Sequence, residues 1–221
     1  MRIVALSDQH GHLPQVPTCD LLIVAGDICP DRFGPFLAIH SPDLQKAWFD
    51  ETARSWLAGA PAAHKILTWG NHDWCGQACS FRRDSPENAP AGAVQIVVDE
   101  STHVSCDGTL VSVWATPWSN KFLNWAFMKT PAELGTVYAG IPAGVDILVS
   151  HQPPYGCGDL GLGSVELRAA IRRVKPKLVI CGHIHDGFGR FECDGSPVYN
   201  VSVVDDAYRL VREPTAIDLN L

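Results

Sequence analysis

Seven side chains of this sequence have the types and spacing to hold two metal ions: Asp8, His10, Asp27, Asn71, His151, His183 and His185. Asp8 and His10 alternate by two, so on an extended strand end both face the same way and reach one ion. Asp27 follows Gly26, which lets the backbone approach a site closely. A carboxylate has two oxygens, so this one can bridge two cations and hold them ~3.5–4 Å apart, the separation found in two-metal hydrolases. Asn71 offers an uncharged amide oxygen, and the histidines offer imidazole nitrogens. Oxygen and nitrogen donors without thiolates suit two ions of manganese, iron or zinc better than a cysteine-rich structural zinc. Each fragment alone arises readily in turns, and Gly-Asn-His-Asp (70–73) also suits a turn with Asn and Gly in left-handed positions. Their joint occurrence, each at the end of an apolar run, is not a product of turn chemistry and predicts a dinuclear hydrolase.

The elements that must position them are short strands over 3–6, 21–25, 65–69, 147–150 and 178–181. Five such strands, parallel and side by side, can converge their C-terminal tips on the crevice where open α/β sheets bind ligands. Between the second and third, Leu44, Ala47, Trp48, Thr52, Ala53, Trp56 and Leu57 recur at helical steps, predicting an amphipathic helix over 43–59. A second helix starts at Ser164, a good N-cap, with Val165, Leu167, Ile171 and Val174 as its stripe. A third occupies 131–139, with Pro131 in its first turn. Segments 94–98, 103–106 and 109–116 read as successive antiparallel strands with an Asp107-Gly108 hairpin turn, and 189–193 and 197–204 flank a second such turn at Asp194-Gly195. The architecture expected is α/β: a four-layer αββα sandwich of two mixed sheets with helices on the outer faces. Residues 76–92 and 117–130 read as long loops, a frequent place for function.

A length of 221 residues suits one domain over 1–221. The formal net charge of −7 disfavours the phosphate-driven affinity that long nucleic acids give to basic proteins, with Arg82-Arg83 and Arg172-Arg173 as local basic exceptions. Eight cysteines raise the question of disulfides. No leader pattern opens the chain, so the expectation is a cytoplasmic, reducing setting with free thiols. Cys75 and Cys79 lack a second pair at finger spacing, so no zinc finger is expected. No apolar run reaches the ~18 residues of a membrane span, so no membrane partner is expected.

The order DxH, GD, GNHD, the His of SHQPP and GHIH resembles the calcineurin-like metallophosphoesterase superfamily across essentially the whole chain. Thr116-Pro117-Trp118, the aromatic run 122–127, GVDILVSHQPP and KPKLVICGHIHDGFG look like a small subfamily related to class III cyclic-nucleotide phosphodiesterases. Some of its members lack the first His of GHxH; this chain keeps His183. The resemblance implies that Asp8, His10 and His185 hold one metal, Asp27 bridges, and Asn71, His151 and His183 hold the other. It implies that His72 contacts the substrate phosphate and protonates the leaving group, and that Asp73 orients His72. Gln9, between Asp8 and His10, departs from the commoner Thr or Leu, with its side chain expected to point away from the ligands.

The chemistry that follows is hydrolysis of a small phosphodiester, with 2′,3′- or 3′,5′-cyclic nucleotides as candidates. Two cations sharing Asp27 lower the pKa of a bridging water and draw charge from the phosphoryl oxygens. No residue need be a covalent nucleophile. Ser7 and Ser150 read as spacers and partners of the ligands. His12 either extends into the site as a substrate contact or caps a turn with Gly11. Trp74 either lines the pocket or braces the loop. Trp118, Phe122 and Trp125 either stack a nucleobase or cover the sheet edge. His40, His64 and His103 lie away from any motif. Phosphomonoester hydrolysis on the same machinery, and a non-catalytic binding module of the same fold, are the rival functions.

Overall fold

The computed structural model describes residues 1–33, 41–79, 93–106 and 108–220. His40, Arg82, Arg83, Asp107 and the 80–92 part of the expected loop lie outside them. Strands β1 (Arg2–Leu6), β2 (Cys19–Ala25) and β3 (Ala62–Thr68) run parallel. Their runs are apolar on both faces because both faces are covered. Ile3, Ala5, Leu21, Ile23 and Ile66 enter one core cluster, while Val4, Leu6, Leu22, Val24 and Leu67 enter another.

Between β2 and β3 the chain forms α1 (Pro42–Trp48), a π-helical turn (Phe49–Ala53) and α2 (Arg54–Gly59). A helix is therefore present over 43–59, but its buried stripe differs from the expected one. Gln45, Phe49, Ala53 and Leu57 are buried, whereas Ala47 and Thr52 are exposed. The buried positions recur every fourth residue, and the wider π turn keeps them on one face where a regular 3.6-residue helix would drift. A polar side chain, Gln45, thus sits in an apolar stripe.

After β3 come α3 (Trp74–Ala78) and β4 (Val94–Ile96). β4 pairs parallel with β3 rather than opening an antiparallel series as expected. Strands β5 (Glu100–Cys106) and β6 (Thr109–Thr116) form the antiparallel hairpin. Within the 117–130 loop, β7 (Ser119–Asn120) pairs with β8 (Met128–Lys129). Helix α4 (Pro131–Ala139) starts on a capping box between Thr130 and Glu133, which satisfies two donors at its first turn. Strand β9 (Ile147–Ser150) follows, then α5 (Val165–Val174), capped by the Ser164 hydroxyl on the Leu167 N–H, and β10 (Leu178–Cys181). The chain closes with β11 (Gly189–Cys193), β12 (Ser196–Asn200) and β13 (Thr215–Asp218). Asp194 and Gly195 both have positive φ, 50° and 92°, as the expected primed turn requires.

One sheet has the order β13-β1-β2-β3-β4, the other β11-β12-β10-β9-β6-β5. Valines and isoleucines of both, among them Ile3, Ile23, Val113, Val149 and Ile180, share the middle core. The π-helical turn and α2 cover the first sheet through Phe49, Ala53 and Leu57, and α4 and α5 cover the second through Leu134, Tyr138, Leu167 and Ile171. The four layers are therefore α, β, β and α. The five ligand-bearing strands do not lie side by side in one sheet as expected: three belong to the first and two to the second. The sheets meet at the shared tip, where Ser7 N–H donates to the Val201 carbonyl at 3.1 Å. Among the described residues no helix is long and apolar enough to cross a membrane.

Candidate metal centre and active site

The strand exits are tied to one another by backbone before any side chain is considered. Asp8 N–H donates to the Gly26 carbonyl at 3.0 Å, His10 N–H to Asp27 at 2.9 Å, and Gly182 N–H to His151 at 2.9 Å. Asp8, His10, Asp27 and His183 all adopt left-handed backbone, with φ of 57°, 44°, 54° and 68°. Such conformations cost ~1–3 kcal/mol each in non-glycine residues and persist where surroundings over-determine them, typically at functional sites. Gly26 is required by both criteria. Its φ is +97°, and a Cβ there would lie 2.5 Å from the His151 ring.

The donor atoms gather into two groups separated by Asp27. In one, Asp8, His10 and His185 bring their ligand atoms within 4.8 Å of one another, and in the other Asp27, His151 and His183 do the same. Asn71 joins the second through Oδ1, 2.9 Å from His151 Nε2. Asp27 Oδ2 stands 3.2 Å from His151 Nε2 and 4.0 Å from His10 Nε2, facing both groups. Two of these imidazoles are oriented from behind. His151 Nδ1–H donates to the Ala25 carbonyl at 2.9 Å and His185 Nδ1–H to Asp205 at 3.1 Å, which turns Nε2 inward as metal-ligating histidines require. His10 Nδ1 lies 3.3 Å from Asp31 Oδ2, and its buried Nε2 has no hydrogen-bond partner, 4.0 Å from Asp27 Oδ2. A buried nitrogen left so is uncommon and suits a metal ligand. The donor set therefore fits divalent metal ions.

Electrostatics point the same way. Burial works against an ionised Asp27, yet His151, then His72 and His10, hold its pKa well below the usual carboxylate range. His183 is pushed down to about 3 by burial and by the neighbouring His151, so it stands neutral with a lone pair to give. The third donor cluster, His10, Asp31 and His72, overlaps the first through His10.

His72 is placed for acid chemistry, with a different partner from the one expected. Its Nδ1 is 2.6 Å from Asp31 Oδ1. The Asp73 carboxylate instead accepts the backbone N–H groups of Asp27, Cys29 and Gly70, at 2.8, 2.9 and 2.8 Å. Asp73 thus staples the two loops that carry Asp27 and Asn71, and Asp31 orients the His72 ring. The reason lies in direction: Asp73 points back under the loop that carries it, where three orphan donors converge. Burial disfavours a charged His72 ring, but Asp27 and the Asp31 hydrogen bond outweigh it and raise its pKa above the ordinary value.

Of the remaining candidates, His12 does not reach the cleft. Its Nε2 bonds the Tyr208 carbonyl at 3.1 Å, closer to the turn-holding alternative than to substrate contact. Trp74 packs on the outer core beneath the first sheet, and Trp118 donates to Asp99 at 2.6 Å; both brace. Trp125 lies 4.3 Å from the His72 ring at 33° and lines a cavity of about 570 Å³ with His10, Pro30, Asp31, Arg32, His72, Ala207 and Tyr208. Phe122 is exposed. Gln9 Nε2 donates to the His12 carbonyl, away from the ligands. The eight cysteines are free, and Cys75 lies against Cys29 rather than Cys79, sulfur to sulfur 3.6 Å. Arg172 pairs with Asp194 and Arg173 caps α4 through the Ile141 and Tyr138 carbonyls, so neither forms a free basic patch.

Three site residues escape the motifs. Asp31 is the second carboxylate of the loop that begins at Gly26, and its nearness to Asp27 was the available signal. Asn200 is buried, and its amide donates to the carbonyls of Gly158, Gly182 and Ile184, fixing the loop that carries His183 and His185. Tyr208 sits on a turn organised by Asp205, whose carboxylate accepts from Ala207 and Arg209. Its ring stands edge-on to His10 and His185, 4.5 and 5.3 Å away.

Comparison with known proteins agrees with this geometry. The family described as calcineurin-like phosphoesterase matches residues 1–187. Human metallophosphoesterase domain-containing protein 1 is 30% identical over 246 residues, covering 99% of this chain and 71% of that protein. A UPF0046 protein of Caenorhabditis elegans is 26% identical over 251 residues, covering 99% of this chain and 60% of its own length. Among solved structures, TT1561 of Thermus thermophilus superposes with a TM-score of 0.53 at 15% identity, over 90% of this chain and 88% of that one. GAP50, the anchor in the inner membrane complex of Plasmodium, gives 0.52 at 14% identity, over 92% and 71%. At those identities the structures share a fold with this chain. By its match over residues 1–187 and the donor clusters that match contains, the chain belongs to the calcineurin-like phosphoesterase family.

Proposed function

We propose that this protein is a phosphodiesterase with two divalent cations, acting on small phosphodiesters, 2′,3′- or 3′,5′-cyclic nucleotides among the candidates. Asp8, His10 and His185 would hold one ion, Asn71, His151 and His183 the other, with Asp27 shared. When bound, such a pair supplies Lewis acidity at the phosphoryl oxygens and a water acidic enough to ionise near neutral pH. The observation that carries the reading is Asp27, one carboxylate oxygen facing donors of both groups at 3.2 and 4.0 Å.

The chain's own residues supply the rest. His72, held at Nδ1 by Asp31, presents Nε2 as the proton donor to the departing alkoxide, a role worth typically ~10²–10⁴ in rate. Asp31 keeps the charged ring favourable and fixes which nitrogen does the work. Among the described residues lining the cleft the one arginine is Arg32, and the carboxylates of Asp31 and Asp206 also lie on its walls, a balance better suited to a monoanionic diester than to a dianionic monoester. A diester also carries a second esterified group, and Trp125 and Tyr208 offer it aromatic walls. The formal charge of −7 weighs against long nucleic acids as substrates.

The test is a matched pair: Mn²⁺-loaded protein assayed with bis(p-nitrophenyl) phosphate and p-nitrophenyl phosphate, beside cyclic nucleotides, with elemental analysis of the same sample. Two metal equivalents per chain and kcat/KM at least ~10-fold higher for the diester, about 1.4 kcal/mol, are expected. Preference for the monoester would reverse the substrate assignment. Two bound metals with no turnover of any ester would leave a binding module.

A further inference from the structure

The buried amide of Gln45 reaches both loops that meet at the His72–Asp31 pair. Gln45 is fully buried on α1, in the stripe it shares with Phe49, Ala53 and Leu57. A primary amide there is costly unless its polar atoms are matched, and they are. Nε2 donates to the His72 carbonyl at 2.7 Å and to the Pro30 carbonyl at 3.3 Å, while Oε1 accepts the Cys75 N–H at 3.1 Å. The backbone of Gln45 is itself anchored at the start of α1, its N–H on the Ser41 carbonyl at 3.0 Å.

The position of these contacts is what distinguishes them from an ordinary core staple. Pro30 immediately precedes Asp31, and the His72 carbonyl belongs to the residue whose ring Asp31 holds. One side chain therefore sets the separation of the two loops beside the 2.6 Å bond between them. Asp73 ties the same loops on the metal side, through Asp27, Cys29 and Gly70. Gln45 ties them on the acid side. Hydrogen bonds of this kind hold catalytic groups to fractions of an ångström, and a displacement of 1 Å can cost ~10²-fold in rate.

We infer that Gln45 is a positioning residue for proton donation, acting through the His72–Asp31 pair rather than on the metals or the substrate. The inference rests on the reading of His72 as the leaving-group acid, and the experiment separates the two. Gln45→Met keeps the length and volume while removing both hydrogen-bonding functions. Diesters with alkyl leaving groups need a proton from the enzyme, whereas p-nitrophenoxide leaves without one. Gln45→Met should lower kcat/KM by ~10-fold or more for a dialkyl diester such as dimethyl phosphate and by less than ~3-fold for bis(p-nitrophenyl) phosphate, with metal content unchanged. In a His72→Ala background the same substitution should add almost nothing for the dialkyl substrate, because residues acting as one unit are not additive.

Equal losses on both substrates, or full additivity with His72→Ala, would make Gln45 a general scaffold residue and overturn the inference while leaving the acid assignment standing. If His72→Ala itself loses equally on both substrates, the acid assignment is wrong and the inference falls with it. Gln45→Leu provides the same test should the methionine variant fold poorly. It is uncharged, similar in volume, and removes the donors to His72 and Pro30 with the acceptor for Cys75, so a leaving-group-dependent loss is expected from it too.

Discussion

The cradle and the rim of this site are built on opposite principles. The cradle, from Asp8 to His185, hangs on strand tips whose backbones are bonded to one another. Its side chains are buried, and four of its residues are held in left-handed conformations. The rim, with Arg32, Trp125 and Tyr208, comes from loops that cross the outside, and Tyr208 is 41% exposed. Asp8, Asp27 and His151 are each held by several hydrogen bonds, whereas the rim side chains stand on loops. On the proposed function, the difference would divide the labour: the cradle would carry the hydrolysis and the rim the choice of ester. This is the division expected when rigid elements carry the chemistry and loops carry specificity.

The sharpest way to break that division is at Asp27. Asp27→Ala should abolish detectable turnover, a loss beyond ~10³-fold, because a site missing its shared carboxylate loses both a ligand and the fixed separation of the ions. Elemental analysis checks it: the variant should retain fewer than two metal equivalents, and retention of both would show that Asp27 is not the shared ligand. His72→Ala comes next. It should keep both metals and a near-native melting temperature, yet lose ~10²–10⁴ in kcat with a dialkyl diester. Loss of metal in that variant would move His72 from acid to structural support of the cradle.

Asn200 tests the cradle from behind. Asn200→Ala leaves three loop carbonyls without their donor beside His183 and His185. Substitutions one layer outside a metal centre typically weaken metal binding ~10–100-fold, so a Mn²⁺ titration should show that loss with near-normal kcat at saturating metal. An unchanged affinity would mean that the loop holds its shape without the amide.

Asn200 also marks where legibility in the sequence ends. The cradle was readable because a candidate ligand's residue type and its place after an apolar run are both local facts, and the side chains of DxH, GNHD and GHIH gather into the donor clusters. The αββα layering followed from the same runs. The assignment of five strands to two sheets did not follow, since pairing partners are set by long-range packing that period and composition do not encode. Asp73 shows the limit for side-chain direction: adjacency to His72 suggested a partnership, but the backbone turns Asp73 toward three N–H groups and gives the ring to Asp31. Gln45 was hidden for a further reason. The apolar residues Ala47 and Trp48 suggested one buried face, whereas the π turn at Phe49–Ala53 lets Ala53 and Leu57 continue the face begun by Gln45 and Phe49.

The rim yields the smallest effect and the most selective one. Tyr208 lies beyond the stretch that matches the family, residues 1–187, on a turn fixed by Asp205 and by His12 at its carbonyl. Its ring lines the same cavity as Trp125, so a planar ester group entering that cavity has two aromatic side chains available to it. Stacking of a base on such a residue is worth ~1–3 kcal/mol. Tyr208→Leu keeps apolar bulk at a backbone position already at φ 60° but removes the flat face. It should raise KM ~5–100-fold for diesters bearing an aromatic ring, following that stacking energy, while kcat/KM for dimethyl phosphate stays within a factor of ~2. Measuring both substrates on one preparation is decisive. A parallel loss on dimethyl phosphate would place Tyr208 with the cradle, through its contacts to His10 and His185, and the line between chemistry and choice would have to be redrawn one layer further out.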